Sequence, residues 1–105
     1  MANISRLPES WYWVGRDKKF GQKPVEVRLL HQKFVLYRKK NGSLVALNAN
    51  CPHAGANMAK GRIEEDRLVC PFHAWAYGES GVCEKIPGTD CIPKFARVAT
   101  FPVKE

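Results

Sequence analysis

Two short segments of the chain carry side chains that could bind a metal. The first contains Cys51 and His53, and the second contains Cys70 and His73, in the pattern C-x-H, sixteen residues, C-x-x-H. Each segment offers one thiolate and one imidazole, which are soft-to-borderline metal ligands. A proline follows each cysteine, fixing φ and removing a backbone donor at the same place in both segments. The pattern predicts two loops of matched design that hold a metal group between them.

The way in which the ligands are distributed favours one kind of metal group. A Cys₂His₂ zinc site usually takes both cysteines from one segment and both histidines from another. Here each segment is mixed, which suits a two-iron cluster with both thiolates on one iron and both imidazoles on the other, the Rieske [2Fe–2S] arrangement. We therefore expect Cys51 and Cys70 to bind one iron, and His53 and His73 to bind the other.

Two other interpretations remain open at this point, namely a zinc-stabilised structural β-domain and a pair of disulfides. Four cysteines allow three pairings. The disulfide interpretation leaves both histidines unexplained and requires an oxidising compartment. We expect the two other cysteines, Cys83 and Cys91, to be buried free thiols.

The ligand segments resemble the Rieske iron–sulfur domain. The resemblance is closest to the domain that opens the oxygenase subunit of ring-hydroxylating non-haem iron oxygenases. His73-Ala74-Trp75 resembles the H-G-W of that family, with Ala74 in place of glycine. Weaker matches extend over most of the chain, at Trp11-Tyr12, at residues 81–87 and at residues 97–103.

The resemblance implies an all-β fold, a small antiparallel β-sandwich with a cluster-binding subdomain formed by two loops, as a single domain over residues 1–105. It implies a Rieske-type [2Fe–2S] cluster held by Cys51, His53, Cys70 and His73. The implied function is transfer of one electron at a time within or to a non-haem iron oxygenase system. The alternative within the family is a separated Rieske domain of an oxygenase alpha subunit.

The chain also departs from its relatives. Ala54 replaces the arginine that often follows the first histidine ligand in oxygenases. The extra loop cysteines and the serine of respiratory Rieske proteins are missing, so the chain resembles the low-potential branch. We expect a potential in the lower part of the range of roughly −150 to +300 mV. Tyr77 and backbone N–H groups at 55–58 and 75–77 are the predicted hydrogen-bond donors to sulfur.

The rest of the chain predicts the strands that position the two segments. Alternating or strand-forming residues predict strands at 11–14, 25–29, 33–39, 43–47, 67–69 and 97–103. Asn41-Gly42 predicts a type I′ hairpin turn with positive φ at both residues. Gly78 and Gly81 bracket a second turn, and no segment predicts an amphipathic helix of three turns.

Length and charge limit the function further. A chain of 105 residues forms one domain. The net charge of +7 favours an acidic partner, for which we expect a reductase or ferredoxin, an oxygenase catalytic component, or both. Nucleic acid is disfavoured, since the aromatic residues fall in strands or beside the cluster. No apolar run approaches the ~20 residues of a membrane span, and no secretory signal is visible, so we expect a cytoplasmic protein without a membrane partner.

Oxygen activation would need a second iron site. Non-haem iron oxygenases hold that iron with two histidines and one carboxylate. The chain has three histidines, of which only His31 remains once the cluster is bound. We therefore expect no catalytic residue here, and His31 is predicted to lie at the surface or in a turn. The chain is interpreted as an electron carrier or as one component of a Rieske oxygenase.

Overall fold

The structure is a computed structural model that describes residues 2–5, 11–15, 19–29, 31–52 and 55–104. Its regular elements are almost entirely β-strands, which confirms the predicted all-β class. The strands are β1 Ala2–Ser5, β2 Trp11–Gly15, β3 Val25–Leu29, β4 Gln32–Arg38, β5 Leu44–Asn48, β6 Arg62–Glu64, β7 Arg67–Val69, β8 Ala76–Tyr77, β9 Cys83–Lys85, β10 Thr100–Phe101 and β11 Val103–Lys104.

The strands form three small antiparallel sheets. Their orders are β11-β1-β2, β10-β5-β4-β3 and β6-β7-β8-β9. The first contains β1 and β11, from near the two ends of the chain, and the second, which we call the central sheet, contains the long hairpin of β4 and β5. The third sheet, β6 to β9, carries the segment with Cys70 and His73 between β7 and β8, and forms the predicted cluster-binding subdomain.

Strand β4 links the two halves because its side chains alternate between two cores. Phe34 and Leu36 pack on one side of the central sheet, with Phe20, Val27 and Ala46. Val35 and Tyr37 point to the opposite side, where they join a core that extends into the cluster-binding subdomain. This second core contains both Cys51 and Cys70, so the two candidate cysteine ligands lie in the main hydrophobic interior.

The hairpin turn between β4 and β5 differs from the prediction. Only Gly42 has positive φ, at +89°, so the expected type I′ turn at Asn41-Gly42 is wrong. The Gly42 N–H donates to the Lys39 carbonyl over 2.9 Å, and the Lys39 N–H donates to the Ser43 carbonyl over 2.9 Å, which describes a longer turn ending in a bulge. The Asn41 Oδ1 atom instead accepts from the Ser43 N–H over 2.9 Å.

A two-residue turn with positive φ at both positions does occur, but between β6 and β7. Glu65 has φ +50° and Asp66 has φ +63°, without a glycine at either position. Tertiary contacts hold this turn. The Tyr37 hydroxyl donates to the Asp66 carbonyl over 3.1 Å, and the Lys40 N–H donates to the Asp66 carboxylate over 2.8 Å. These contacts compensate for the strained backbone.

The C-terminal third also differs in part from the prediction. Residues 97–103 do not form one strand, because Pro102 separates β10 from β11 and lacks the N–H that a continuous ladder needs. Strand β10 pairs with β5, whereas β11 pairs with β1, a strand that the sequence did not predict. The turn between Gly78 and Gly81 is confirmed by a hydrogen bond of 2.9 Å from the Gly81 N–H to the Gly78 carbonyl.

Candidate metal centre

The two candidate ligand segments share one backbone hydrogen-bond pattern. We call residues 51–56 the first metal loop and residues 70–75 the second. In each, the cysteine N–H donates to the carbonyl five residues later, over 3.0 Å from Cys51 to Ala56 and 2.9 Å from Cys70 to Trp75. The cysteine carbonyl accepts from the N–H four residues later, over 2.7 Å from Gly55 and 3.1 Å from Ala74. The matched design that the sequence predicted is therefore present in the backbone.

The fifth position of each metal loop adopts a left-handed backbone. Gly55 has φ +68° in the first loop, and Ala74 has φ +59° in the second. Glycine adopts this conformation without penalty, whereas a residue with a Cβ atom is strained there. The replacement of the family's glycine by Ala74 therefore has a structural cost in the second metal loop.

The two loops bring two of the four predicted ligands close together. Cys51 and Cys70 are each 1% exposed and lie in one core, and Cys51 is near enough to contribute to the raised pKa of Cys70. Burial raises the pKa of the Cys70 thiol, and the backbone N–H groups of Phe72 and His73, which donate to its sulfur, oppose that rise. Because metal ligands must be thiolates, binding at this pair releases protons.

The hydroxyl of Tyr77 lies 3.4 Å from the sulfur of Cys51. Tyr77 is fully buried, and burial raises its pKa, with the contact to Cys51 as the next cause. The hydroxyl therefore stays protonated and donates to the sulfur when Cys51 is a thiolate. This agrees with the predicted role of Tyr77. The N–H groups of Gly55 and Met58 do not fit their prediction, since they donate to the carbonyls of Cys51 and Ala49.

The predicted histidine ligands are placed differently from the thiols. His73 is exposed at the tip of the second metal loop, with its ring 4.3 Å from that of Phe72. His53 lies outside the described residues. Within residues 2–5, 11–15, 19–29, 31–52 and 55–104, no three side chains of His, Cys, Asp or Glu gather as a metal-binding group. The structure thus pairs the thiols inside and leaves His73 at the surface.

The expectation that Cys83 is a buried free thiol is confirmed. Its thiol lies close enough to Cys51 for the two charges to interact, and its Sγ atom donates to the Lys85 carbonyl over 3.6 Å. Burial is the largest cause of its raised pKa. The expectation of burial is wrong for Cys91, which is exposed. His31 is exposed in the turn between β3 and β4, as predicted, with φ +65°.

The donor set fits a cluster that is bound on one side by buried thiolates and on the other by imidazole. The two buried thiols would provide the inner ligands, with the Tyr77 hydroxyl beside the sulfur of Cys51 and hydrogen bonds from the backbone of Phe72 and His73 favouring the thiolate of Cys70. Such donors stabilise negative charge on thiolate sulfur. His73 supplies an imidazole at the solvent side of the same turn.

Comparison with known proteins decides the family. The family model of the Rieske [2Fe-2S] domain matches residues 10–102. This chain belongs to the Rieske [2Fe-2S] domain family. The resemblance drawn from the ligand segments is confirmed, and the cofactor of this Rieske domain is a Rieske-type [2Fe–2S] cluster.

Relatives of the Rieske domain are oxygenase components. It is 37% identical over 108 residues to aminopyrrolnitrin oxygenase PrnD of Pseudomonas fluorescens, matching 96% of this chain and 30% of that protein. It is 34% identical to the oxygenase component of 3-ketosteroid-9-alpha-monooxygenase of Rhodococcus rhodochrous, matching 99% of this chain and 28% of that protein. The chain therefore spans less than a third of the length of these relatives.

The fold is likewise shared with a solved oxygenase. The crystal structure of dicamba monooxygenase with non-heme iron and dicamba superposes with a TM-score of 0.84 at 29% identity. The match covers 89% of this chain and 29% of that chain. It confirms the predicted small β-sandwich of the Rieske type. No helix among the described residues is long and apolar enough to cross a membrane.

Exposed apolar side chains of the Rieske domain collect beside the second metal loop. Phe72 and Phe95 are each 58% exposed, and the Phe95 ring lies 6.3 Å from the ring of buried Trp75. Val82 and Ile92 are further exposed large apolar side chains. We call Phe72, in the second metal loop, and Phe95, beside the Trp75 of that loop, the apolar face.

Proposed function

We propose that the Rieske domain transfers electrons, one at a time, with its cluster bound by Cys51, His53, Cys70 and His73. The observation that carries the proposal is the burial of Cys51 and Cys70 in one core, on two loops of the same backbone design. When bound, a [2Fe–2S] cluster of this type takes up and releases a single electron.

The side chains and backbone around the cysteines set how readily the site accepts an electron. The Tyr77 hydroxyl lies 3.4 Å from the sulfur of Cys51, to which it would donate a hydrogen bond in the thiolate form, and hydrogen bonds from the backbone of Phe72 and His73 favour the thiolate of Cys70. Each donor stabilises the more negative, reduced state and so raises the reduction potential. Burial of both cysteines excludes water from this side of the site.

We propose an acidic redox protein, a reductase or ferredoxin, as one partner. The net charge of +7 supports this choice. The apolar face adjoins His73 through Phe72, so contact there places a partner at the exposed imidazole edge.

Exposed Lys94 directly precedes Phe95. We expect Phe95→Ser to weaken docking at all salt concentrations, and Lys94→Glu to weaken it mainly at low salt, measured by the rate of electron delivery from a reductase.

The second partner is the catalytic part of a non-haem iron oxygenase. We infer that residues 1–105 form a single Rieske domain that passes electrons to a mononuclear iron held elsewhere, on another chain or on a longer form of this one. Only His31 remains as a further histidine, and it lies exposed in a turn. We also infer a cytoplasmic location, supported by the free state of all four cysteines.

The deciding experiment is electron paramagnetic resonance of the dithionite-reduced protein, with iron and zinc measured on the same anaerobic sample. We expect two irons per chain and a rhombic signal with a low average g value. One zinc per chain with a silent spectrum would instead establish a zinc-stabilised structural domain. Co-purification with a subunit that contains mononuclear iron distinguishes a free carrier from a separated domain of an oxygenase alpha subunit.

A further inference from the structure

The stem of the first metal loop is where the loop joins the rest of the fold. Asn50 and Asn57 form an isolated antiparallel bridge that closes the loop, and the Met58 N–H donates to the Ala49 carbonyl over 2.8 Å. Met58 itself is fully buried. The second metal loop has a different stem, because it connects the paired strands β7 and β8 directly, with Val69 opposite Ala76.

The side chain of Asn57 is held at both ends of its amide. Its Oδ1 atom accepts from the Ala59 N–H over 3.0 Å, and its Nδ2 atom donates to the Glu26 carboxylate over 2.5 Å. The first bond caps the short 3₁₀ turn Met58–Lys60. The second reaches 31 residues back along the chain to strand β3, at the edge of the central sheet.

Glu26 is also held in place. Its other carboxylate oxygen accepts from the Arg28 guanidinium over 3.2 Å, and the Glu26 side chain is 30% exposed. The hydrogen bond from Asn57 is the largest cause of the lowered pKa of Glu26, which keeps it ionised. A charged acceptor strengthens the bond from Asn57.

We infer that Glu26 and Asn57 are positioning residues for the first metal loop. The bond between them ties the stem of the loop to the central sheet and so holds Cys51 against Cys70. The inference about the cluster depends on the proposed ligands, whereas the inference about the loop backbone does not. Without the bond, we expect the first loop to open more often while the second is unaffected.

Hydrogen exchange followed by mass spectrometry tests this on the purified chain, with peptides covering residues 51–57 and 70–76. Their matched backbone hydrogen bonds make the second loop an internal control. We expect Glu26→Ala to speed exchange of the first peptide about fivefold, as the loss of one partly exposed hydrogen bond would, and to leave the second unchanged. Release of iron to a chelator should accelerate by a similar factor.

A swapped pair tests the bond itself. Asn57→Asp keeps the oxygen that caps the 3₁₀ turn but places a carboxylate against Glu26, so the first loop should exchange faster. Adding Glu26→Gln to Asn57→Asp restores the hydrogen bond, with the amide donor now on β3 and the carboxylate acceptor at the loop stem. Hydrogen exchange of the first peptide should then return close to its rate in the original chain. This comparison remains decisive if Glu26→Ala does not fold.

The matched control is Glu64→Ala, which removes the same charge from an exposed glutamate paired with Arg62 over 2.9 Å on β6. It should leave both peptides unchanged. The inference would be overturned if Glu26→Ala sped both peptides equally, if it had no more effect than Glu64→Ala, or if the swapped pair did not recover. A chain without iron would overturn the proposed function, yet the exchange comparison would still decide the role of Glu26 and Asn57.

Discussion

The first and second metal loops share their backbone hydrogen bonds but differ in the contacts that join them to the rest of the fold. Each closes with the same two backbone hydrogen bonds around its cysteine, and each has a left-handed residue at its fifth position. The histidine stands at the third position of the first loop and at the fourth of the second. Each loop thus places its cysteine by the same described backbone hydrogen bonds, whereas the histidines stand at different positions along the two segments.

The supports of the two loops are the larger difference. The second loop is continuous with two strands of its sheet, and two of its own N–H groups donate to the Cys70 sulfur. The first loop is closed by the isolated bridge between Asn50 and Asn57, and side chains from outside contact it, with Tyr77 at the Cys51 sulfur and Glu26 at its stem. The stem of the second loop is therefore a strand pair, whereas that of the first is a single bridge tied by a side chain to another sheet.

The largest effect is expected from the ligands, and it should be equal in the two loops. Cys51→Ser and Cys70→Ser should prevent stable assembly of the cluster, because each removes a thiolate from the inner pair. His53→Ala and His73→Ala should abolish the Rieske signal. Iron content and paramagnetic resonance measure the loss, with Cys91→Ser and His31→Gln as controls that keep both. A wild-type spectrum in any of the four ligand variants would show the assignment to be wrong.

A smaller effect should distinguish the loops at their sulfurs. Tyr77→Phe removes the hydroxyl at Cys51 and leaves the donors to Cys70 in place. The reduction potential should fall by about 50 mV, which corresponds to the loss of one net hydrogen bond. Redox titration followed by absorbance measures it, with Tyr37→Phe as the control, since the Tyr37 hydroxyl donates to a carbonyl in the β6–β7 turn instead. An unchanged reduction potential in Tyr77→Phe would show that the Tyr77 hydroxyl does not stabilise the reduced state.

Exchanging the residues at the fifth position should affect stability in opposite directions. Gly55→Ala introduces a Cβ atom with open space around it, so its effect comes from the backbone alone. The left-handed strain of about 1–2 kcal/mol, less the entropy that glycine loses, leaves a cost of about 0.5–1 kcal/mol. Ala74→Gly should stabilise by a similar amount. Urea unfolding of the protein with its cluster bound measures the free energy of unfolding of both variants. If both substitutions changed it in the same direction, the two loops would not share a backbone conformation at the fifth position.

The smallest effect concerns pH and the stem of the first loop. Asn57 lowers the pKa of Glu26 in the folded protein. The stability that this adds is therefore fully present above the unfolded pKa of about 4.3, and is lost as pH falls through the lower folded pKa. Glu26→Gln should flatten this part of the profile in urea unfolding between pH 7 and pH 3, whereas Lys94→Gln should not. If the pH profile of Glu26→Gln ran parallel to that of the original chain, the Glu26 carboxylate would not contribute to the pH dependence of the free energy of unfolding.

The sequence by itself predicted the ligand segments and the strands of the central hairpin. Cysteine and histidine in two mixed segments indicate the Rieske cluster because ligand chemistry is a property of residue type and spacing. Strands such as β3 and β4 follow from alternation, which is local. The strands β1, β6, β8 and β9 were not predicted, since segments of two to four residues without a clear pattern gain their strand conformation from pairing with their neighbours.

Only the tertiary structure decided what surrounds the ligands. The left-handed turn at Glu65 and Asp66 carries no glycine signal, and it is held by Tyr37 and the Lys40 N–H from distant parts of the chain. The closeness of Cys83 to Cys51 and the bond from Asn57 to Glu26 also join residues far apart in sequence. Their contacts depend on how the sheets pack, and no local spacing encodes that packing.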